Sequence, residues 1–146
     1  MFCKSFFYTD RVNTDSLARC PISYTLDHIG DRWSLLILRD ILFANKKHYD
    51  EFAASAEGIS TNILANRLKQ LEANGLILKQ RYDENRRRFV YRPTEKALDL
   101  LPMIIEMIQW GARYDPHTGA PREVTDGIRK DAAGFAAGVR KKFTEQ

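Results

Sequence analysis

The 146-residue sequence predicts a mainly α-helical chain with one small β-hairpin, and three stretches carry that prediction. A helix with a polar outward face begins at Ser60, and the short turn Ala56-Glu57-Gly58-Ile59 joins it to a brief helix upstream. Two β-rich runs follow it, with an arginine cluster between them. A steep helix pair leading directly into a hairpin is the arrangement of a winged helix-turn-helix.

Taken in order, residues 1–17 are expected to be an N-terminal arm, because Phe2, Phe6, Phe7 and Tyr8 follow no period. Cys20-Pro21 opens the first helix. Proline suits the first helical position, where an N–H has no intrahelical partner, and this makes Cys20 the N-cap. Ile22, Leu26 and Ile29 form its apolar stripe. Gly30 ends it and Asp31 caps the next helix, where Trp33, Leu35, Leu36, Ile37, Leu38, Ile41, Leu42 and Phe43 leave little polar surface. A helix that is apolar on nearly every side belongs at the centre. His48 to Ser55 reads as a short helix with Tyr49, Phe52 and Ala53 inward.

Ser60 caps the recognition helix, its hydroxyl accepting from a backbone N–H one turn in. At 3.6 residues per turn Ile63, Leu64, Leu68 and Leu71 share one face, and Asn62, Ala65, Asn66, Lys69 and Ala73 share the other. The first face is core; the second is short and polar enough to approach base edges. Arg67 falls beside the apolar stripe, so its stem packs while the guanidinium seeks a carboxylate or phosphate. Asn74-Gly75-Leu76 ends the helix, with Gly75 left-handed and Leu76 touching Leu71.

Residues 76–82 and 88–92 read as strands and residues 83–87 as their loop. Lys79, Arg81, Arg86, Arg87, Arg88 and Arg92 surround the tip, where they suit a phosphate backbone or a narrow minor groove. Thr94 then starts a long helix reaching about Tyr114, with a kink or restart near Leu101 because Pro102 lies inside it. Ala97, Leu98, Leu101, Ile104, Ile105 and Ile108 form one stripe; Leu100, Met103, Met107, Trp110 and Tyr114 form a second. Two stripes need cover on two sides, and a second subunit is the expected cover for one of them. Residues 115–121 have linker composition, and a final helix from about Thr125 to Phe143 carries Ile128, Ala132, Phe135, Val139 and Phe143 in line. It docks either on its own chain or on a partner. The expected organisation is an arm over 1–17, a DNA-binding and dimerisation domain over 18–115, and a linker with a C-terminal helix over 116–146.

Net charge is +4, and the whole excess lies between Lys46 and Lys96, where eleven Lys or Arg face seven Asp or Glu. That is the footprint of a polyanion-binding face. No apolar run approaches a membrane span and the N-terminus lacks a signal-peptide pattern, so a cytoplasmic protein is expected. Cys3 and Cys20 are too few for a disulfide framework, and no Cys or His spacing suits a metal, so no cofactor is expected.

Several blocks in fixed order carry a family resemblance: Cys20-Pro21, GDRWSLLILRDILF from Gly30, KHYDEF from Lys47, GIS from Gly58, LANRLKQLEANGLI from Leu64, and TEKA from Thr94. Over about residues 18–114 the chain resembles the HxlR family of bacterial winged-helix transcriptional regulators. The resemblance implies a homodimer on a pseudo-palindromic operator in double-stranded DNA, with the Ser60 helix in the major groove and the hairpin as wing. It also implies a dimer interface from the first helix (Ile22, Leu26) and the long helix (Leu100, Met103, Met107, Trp110). Ala97 stands where the family commonly has glycine, and the 116–146 extension exceeds its minimal domain.

On that reading Thr61, Asn62, Asn66 and Lys69 make base and near-base contacts. Arg86, Arg87 and Arg88 reach backbone or minor groove, and Ser60 and Lys47 donate to phosphates. The regulator is expected to be a repressor, and some relatives resemble thiol sensors of electrophiles or oxidants with a cysteine near the start of the first helix. Cys20 has two readings: a small, inert, buried residue, or a thiol whose N-cap position beside Arg19 favours the thiolate. A small-molecule effector near Trp110 and Met107 is a further expectation. Two other functions compete: a winged helix used for protein–protein interaction, and a thiol enzyme pairing Cys20 with His28 or His48.

Overall fold

The computed structural model describes residues 20–82 and 85–145, without the side chains of 82 and 85–87. The expected arm, Cys3, Arg19, and the Arg86 and Arg87 side chains lie outside the described residues.

Helix α1 (Pro21–Ile29) starts after Cys20, whose side chain makes no capping bond. Its end is compulsory: the Gly30 N–H donates to Leu26 O at 2.7 Å, and a Cβ on Gly30 would sit 2.4 Å from that same oxygen. Helix α2 (Arg32–Leu42) begins on Asp31, which accepts from the N–H groups of Trp33 and Ser34, both at 3.0 Å. Ile37, Leu38, Ile41 and Leu42 are buried, so α2 is the central helix that its composition requires.

Helix α3 (Tyr49–Ala53) is held at its start by Glu51, whose carboxylate accepts from the N–H groups of Lys47 and His48. Of its expected inward residues Phe52 is fully buried, while Tyr49 and Ala53 are half-buried. Helix α4 (Thr61–Ala73) begins at Ser60, whose hydroxyl accepts from Ile63 N–H at 3.4 Å. Leu64, Leu68 and Leu71 bury their stripe against the core. Ile63, expected inside, is 38% exposed. Spacings of four and three aim Leu64, Leu68 and Leu71 along one line, and Ile63 falls one step off it. The helix closes with Gly75 at φ 69°. Leu76 N–H donates to Leu71 O and Gly75 N–H to Glu72 O, both at 2.9 Å, which is the bond pair of a Schellman motif.

Strand β1 (Ile77–Tyr82) pairs antiparallel with β2 (Asn85–Pro93), Lys79 opposite Tyr91 and Arg81 opposite Phe89. The register shifts between Arg81 and Tyr82, and pairing resumes with Tyr82 opposite Asn85. The expected five-residue loop is therefore corrected: Asn85, Arg86 and Arg87 belong to β2, ahead of Arg88, where the strand was expected to begin. The hairpin is also tied to the helices, since Tyr91 N–H donates to Lys47 O at 2.8 Å. His48 Nδ1 donates to Phe89 O at 2.9 Å, which puts a proton on that nitrogen.

The single long helix expected from Thr94 is two, α5 (Glu95–Leu98) and α6 (Leu101–Tyr114). Pro102, near the start of α6, has no N–H to offer a preceding turn, so the restart falls where Pro102 requires. The C-terminal helix is also two, α7 (Arg122–Lys130) and α8 (Ala132–Thr144). Asp131 is extended between them and accepts from Gly134 N–H at 2.8 Å, capping the second. Both dock on their own chain. Val139 joins the core with Leu38, Leu98 and Leu101, Phe135 stacks on Phe43 at 6.2 Å, and Arg140 pairs with Glu95 and Asp99.

Candidate nucleic-acid interface

The outward face of α4 is open. Ser60, Thr61, Asn62, Ala65, Asn66 and Lys69 are all exposed, and their carboxamides, hydroxyls and one ammonium offer both donors and acceptors. Between this helix and the hairpin runs a groove of about 790 Å³, walled by Tyr49 and Asp50 of α3, Lys69 and Glu72 of α4, and Lys79, Arg88, Phe89 and Tyr91 of the hairpin. Lys79 Nζ lies 4.2 Å from the Phe89 ring centroid, a cation–π contact that holds its charge inside the groove. Tyr49 OH donates to Thr61 O at 3.0 Å, tying α3 to the first turn of α4.

Not every expected contact residue belongs to this face. Lys47 lies in a different cleft with Leu78, Arg92 and Phe143, behind the hairpin. The Arg88 guanidinium already has a partner, the Asp50 carboxylate at 3.0 Å. Arg67 meets the expectation of a carboxylate: its Nε lies 3.0 Å from Asp31 Oδ1. That oxygen already accepts two backbone N–H groups, and the Nε–H makes no hydrogen bond of good geometry. The contact is charge against charge. Burial opposes the charge on Asp31, but bonds from Ser34 and the Arg67 charge outweigh it and hold the carboxyl below its ordinary range.

A polar cluster that the sequence does not advertise fixes the turn. Asp40 is 4% exposed. Its carboxylate accepts from Lys46 Nζ at 2.7 Å and Ser55 Oγ at 2.6 Å, and from Arg39 Nε at 2.9 Å. Arg39 also reaches Glu57, in the turn before α4. Burial alone would raise the Asp40 pKa; the bonds from Lys46, Ser55 and Arg39 reverse that and lower it. Asp40 falls within an apolar run, and beyond the adjacent Arg39 its partners Lys46 and Ser55 lie 6 and 15 residues away, so no local period links them.

Elsewhere, Ile22 and Leu26 of α1 are each 59% exposed, Met107 is 48% and Trp110 68%. Leu100 and Met103 are partly spent on the chain's own core. Cys20 is half-buried and free. His28 Nδ1 bonds Tyr24 O at 2.8 Å, at the far end of α1 from Cys20, about 12 Å along the axis at the usual rise. His48 Nδ1 is engaged on Phe89 O.

A three-helix core, a two-helix unit with a glycine-bearing turn, and a hairpin flanking an exposed polar helix define a winged helix-turn-helix DNA-binding protein. The profile of the HxlR-like helix-turn-helix family matches residues 28–118. The chain belongs to that family and is a transcriptional regulator of the helix-turn-helix type. It is 31% identical to YdeP of Bacillus subtilis (strain 168), described as an HTH-type transcriptional regulator, over 70% of this chain and 79% of that one. The crystal structure of PA1607, described as a candidate transcription factor, superposes with a TM-score of 0.65 at 35% identity, covering 75% of this chain and 76% of the other. The redox regulator HypR in its reduced form superposes with a TM-score of 0.60 at 28% identity, covering 66% and 94%. No helix among the described residues is long and apolar enough to cross a membrane.

Proposed function

We propose that the chain is a homodimeric, sequence-specific repressor acting in the cytoplasm on a pseudo-palindromic operator. The observation that carries this is the exposed face of α4, with Thr61, Asn62, Asn66 and Lys69 beside the hairpin groove. Carboxamides on such a face suit adenine edges in the major groove. Arg86, Arg87 and Arg88 act as the wing, and Ser60 contacts a phosphate at the start of α4.

Dimerisation through Ile22, Leu26, Leu100, Met103, Met107 and Trp110 is supported by the exposure of Ile22 and Leu26 on α1 and of Met107 and Trp110 on α6. Large apolar groups left open at this density mark a contact surface. Residues 18–115 are the DNA-binding and dimerisation unit in this reading, and 116–146 brace it. Response to an oxidant or electrophile through Cys20 belongs to the same reading. The thiol begins α1, one of the two proposed interface helices, and HypR is named as a redox regulator.

The test is fluorescence anisotropy on the duplex upstream of the protein's own gene, beside a shuffled duplex, at near-physiological salt. A preference of roughly a thousandfold supports an operator. Equal, weak binding to both overturns sequence-specific recognition of that duplex and favours an acidic protein partner for the basic face. Sedimentation of the same samples reads the dimer, and transcription from the bound promoter reads repression.

A further inference from the structure

Between α6 and α7 lies a cleft of about 200 Å³ lined by Ile108, Gln109, Ala112 and Arg113 of the first helix and Thr125 and Arg129 of the second. Its floor is apolar and its rim is cationic. Arg129 shares its charge with Asp126 at 3.1 Å, whereas Arg113 forms no ion pair with a carboxylate among the described residues. The Thr125 hydroxyl gives its proton to the Arg122 carbonyl at 3.1 Å, leaving its oxygen to accept. The Gln109 amide donates one proton to Glu106 at 3.0 Å and keeps a second. One wall, α7, lies beyond the residues 28–118 that match the family, so this cleft exists because of the extension.

We infer that this cleft is an effector site for a small organic carboxylate with an aromatic or branched apolar body. A guanidinium fork binds a carboxylate through two parallel hydrogen bonds, and Arg113 is available to do so. The apolar floor of Ile108 and Ala112 selects against inorganic phosphate, which has nothing to lay upon it. A cavity of about 150 Å³ holds benzene, so this volume has room for a benzoate-sized acid. The site adjoins Trp110 on α6, in the stripe assigned above to the dimer interface, so an acid bridging α6 to α7 shifts the position of that stripe and the spacing of the two α4 helices. This regulatory consequence rests on the operator-binding reading; the binding site does not.

The experiment is calorimetric titration of the full chain with benzoate, benzyl alcohol and inorganic phosphate, without DNA. Benzoate is expected to bind once per chain, and the alcohol and phosphate are not. Arg113→Ala and Arg129→Ala, both at exposed positions that leave the fold intact, should each weaken benzoate at least tenfold. Ala112→Met, which fills the floor without altering charge, should abolish binding. No benzoate binding, equal binding to the arginine variants, or phosphate binding as tightly as benzoate overturns the site. Operator affinity measured with and without benzoate should differ several-fold, and benzoate affinity should differ by the same factor with and without operator. Binding with no such coupling overturns the effector role. A chain that binds benzoate but prefers no duplex overturns the operator reading and leaves the site standing.

Discussion

Arg88 of the wing and Asp50 of α3 face each other across the groove, N to O at 3.0 Å. In the proposed complex the arginine therefore approaches DNA already partnered. Both side chains are open to water, at 47% and 70% exposed, so the pair stabilises the fold little. It does determine how much positive charge the duplex meets. Asp50→Asn should raise affinity for operator and random duplex alike, by roughly two- to fivefold at low salt, with the gain shrinking as salt rises. Unchanged binding in an anisotropy titration would place Arg88 outside the interface.

Asn66 and Arg87 should divide the work of recognition. Asn66→Ala is expected to narrow the gap between operator and random duplex by about 1–3 kcal/mol, because a carboxamide reads base edges. Arg87→Ala should weaken both duplexes equally and lower the salt slope by about 0.9, the share of one phosphate. Equal loss on both duplexes in both variants would remove this distinction.

Asp40 predicts an acid limb. Its folded pKa is lowered, so its contribution is fully present above the unfolded value of about 3.9 and is lost as pH falls through the folded value. Wild type should therefore lose stability on acidification below about pH 4, and Asp40→Asn should flatten that slope. At neutral pH Asp40→Ala is expected to cost about 2–3 kcal/mol, less than a fully buried pair because Lys46 and Arg39 keep access to water. Urea melts at several pH values measure both.

Met107→Glu should convert the dimer to monomer in sedimentation, with little change in the melting of the chain itself, since Met107 is 48% exposed. Operator binding should fall with the dimer, and a single half-site should be bound as before.

Legibility in the sequence followed the range of the interaction. Ser60, Asp31 and Thr94 cap helices whose bonds lie within three residues, and Gly75 closes α4 within five, so each was readable from neighbours. Asp131 carried the same kind of signal, an Asp capping a turn that ends at Gly134, and the apolar stripe running from Ile128 to Phe143 masked it. The Asp40 cluster and the Arg88–Asp50 pair depend on contacts 15 and 38 residues apart, which no period encodes. The docking of α8 was undecided for a similar reason: an apolar stripe specifies that it be covered, and only tertiary packing chose Phe43 and Leu98 as its cover.

Tyr91 bonds Lys47, His48 bonds Phe89 and Tyr49 bonds Thr61, so the hairpin is tied through α3 to α4, and in the proposed complex helix and wing keep a set gap, like the jaws of a caliper. On that reading the duplex adapts to the gauge. Stiff A-tracts and easily kinked pyrimidine–purine steps meet that demand at different energetic cost. Base pairs touched by neither jaw will then influence which sites are occupied.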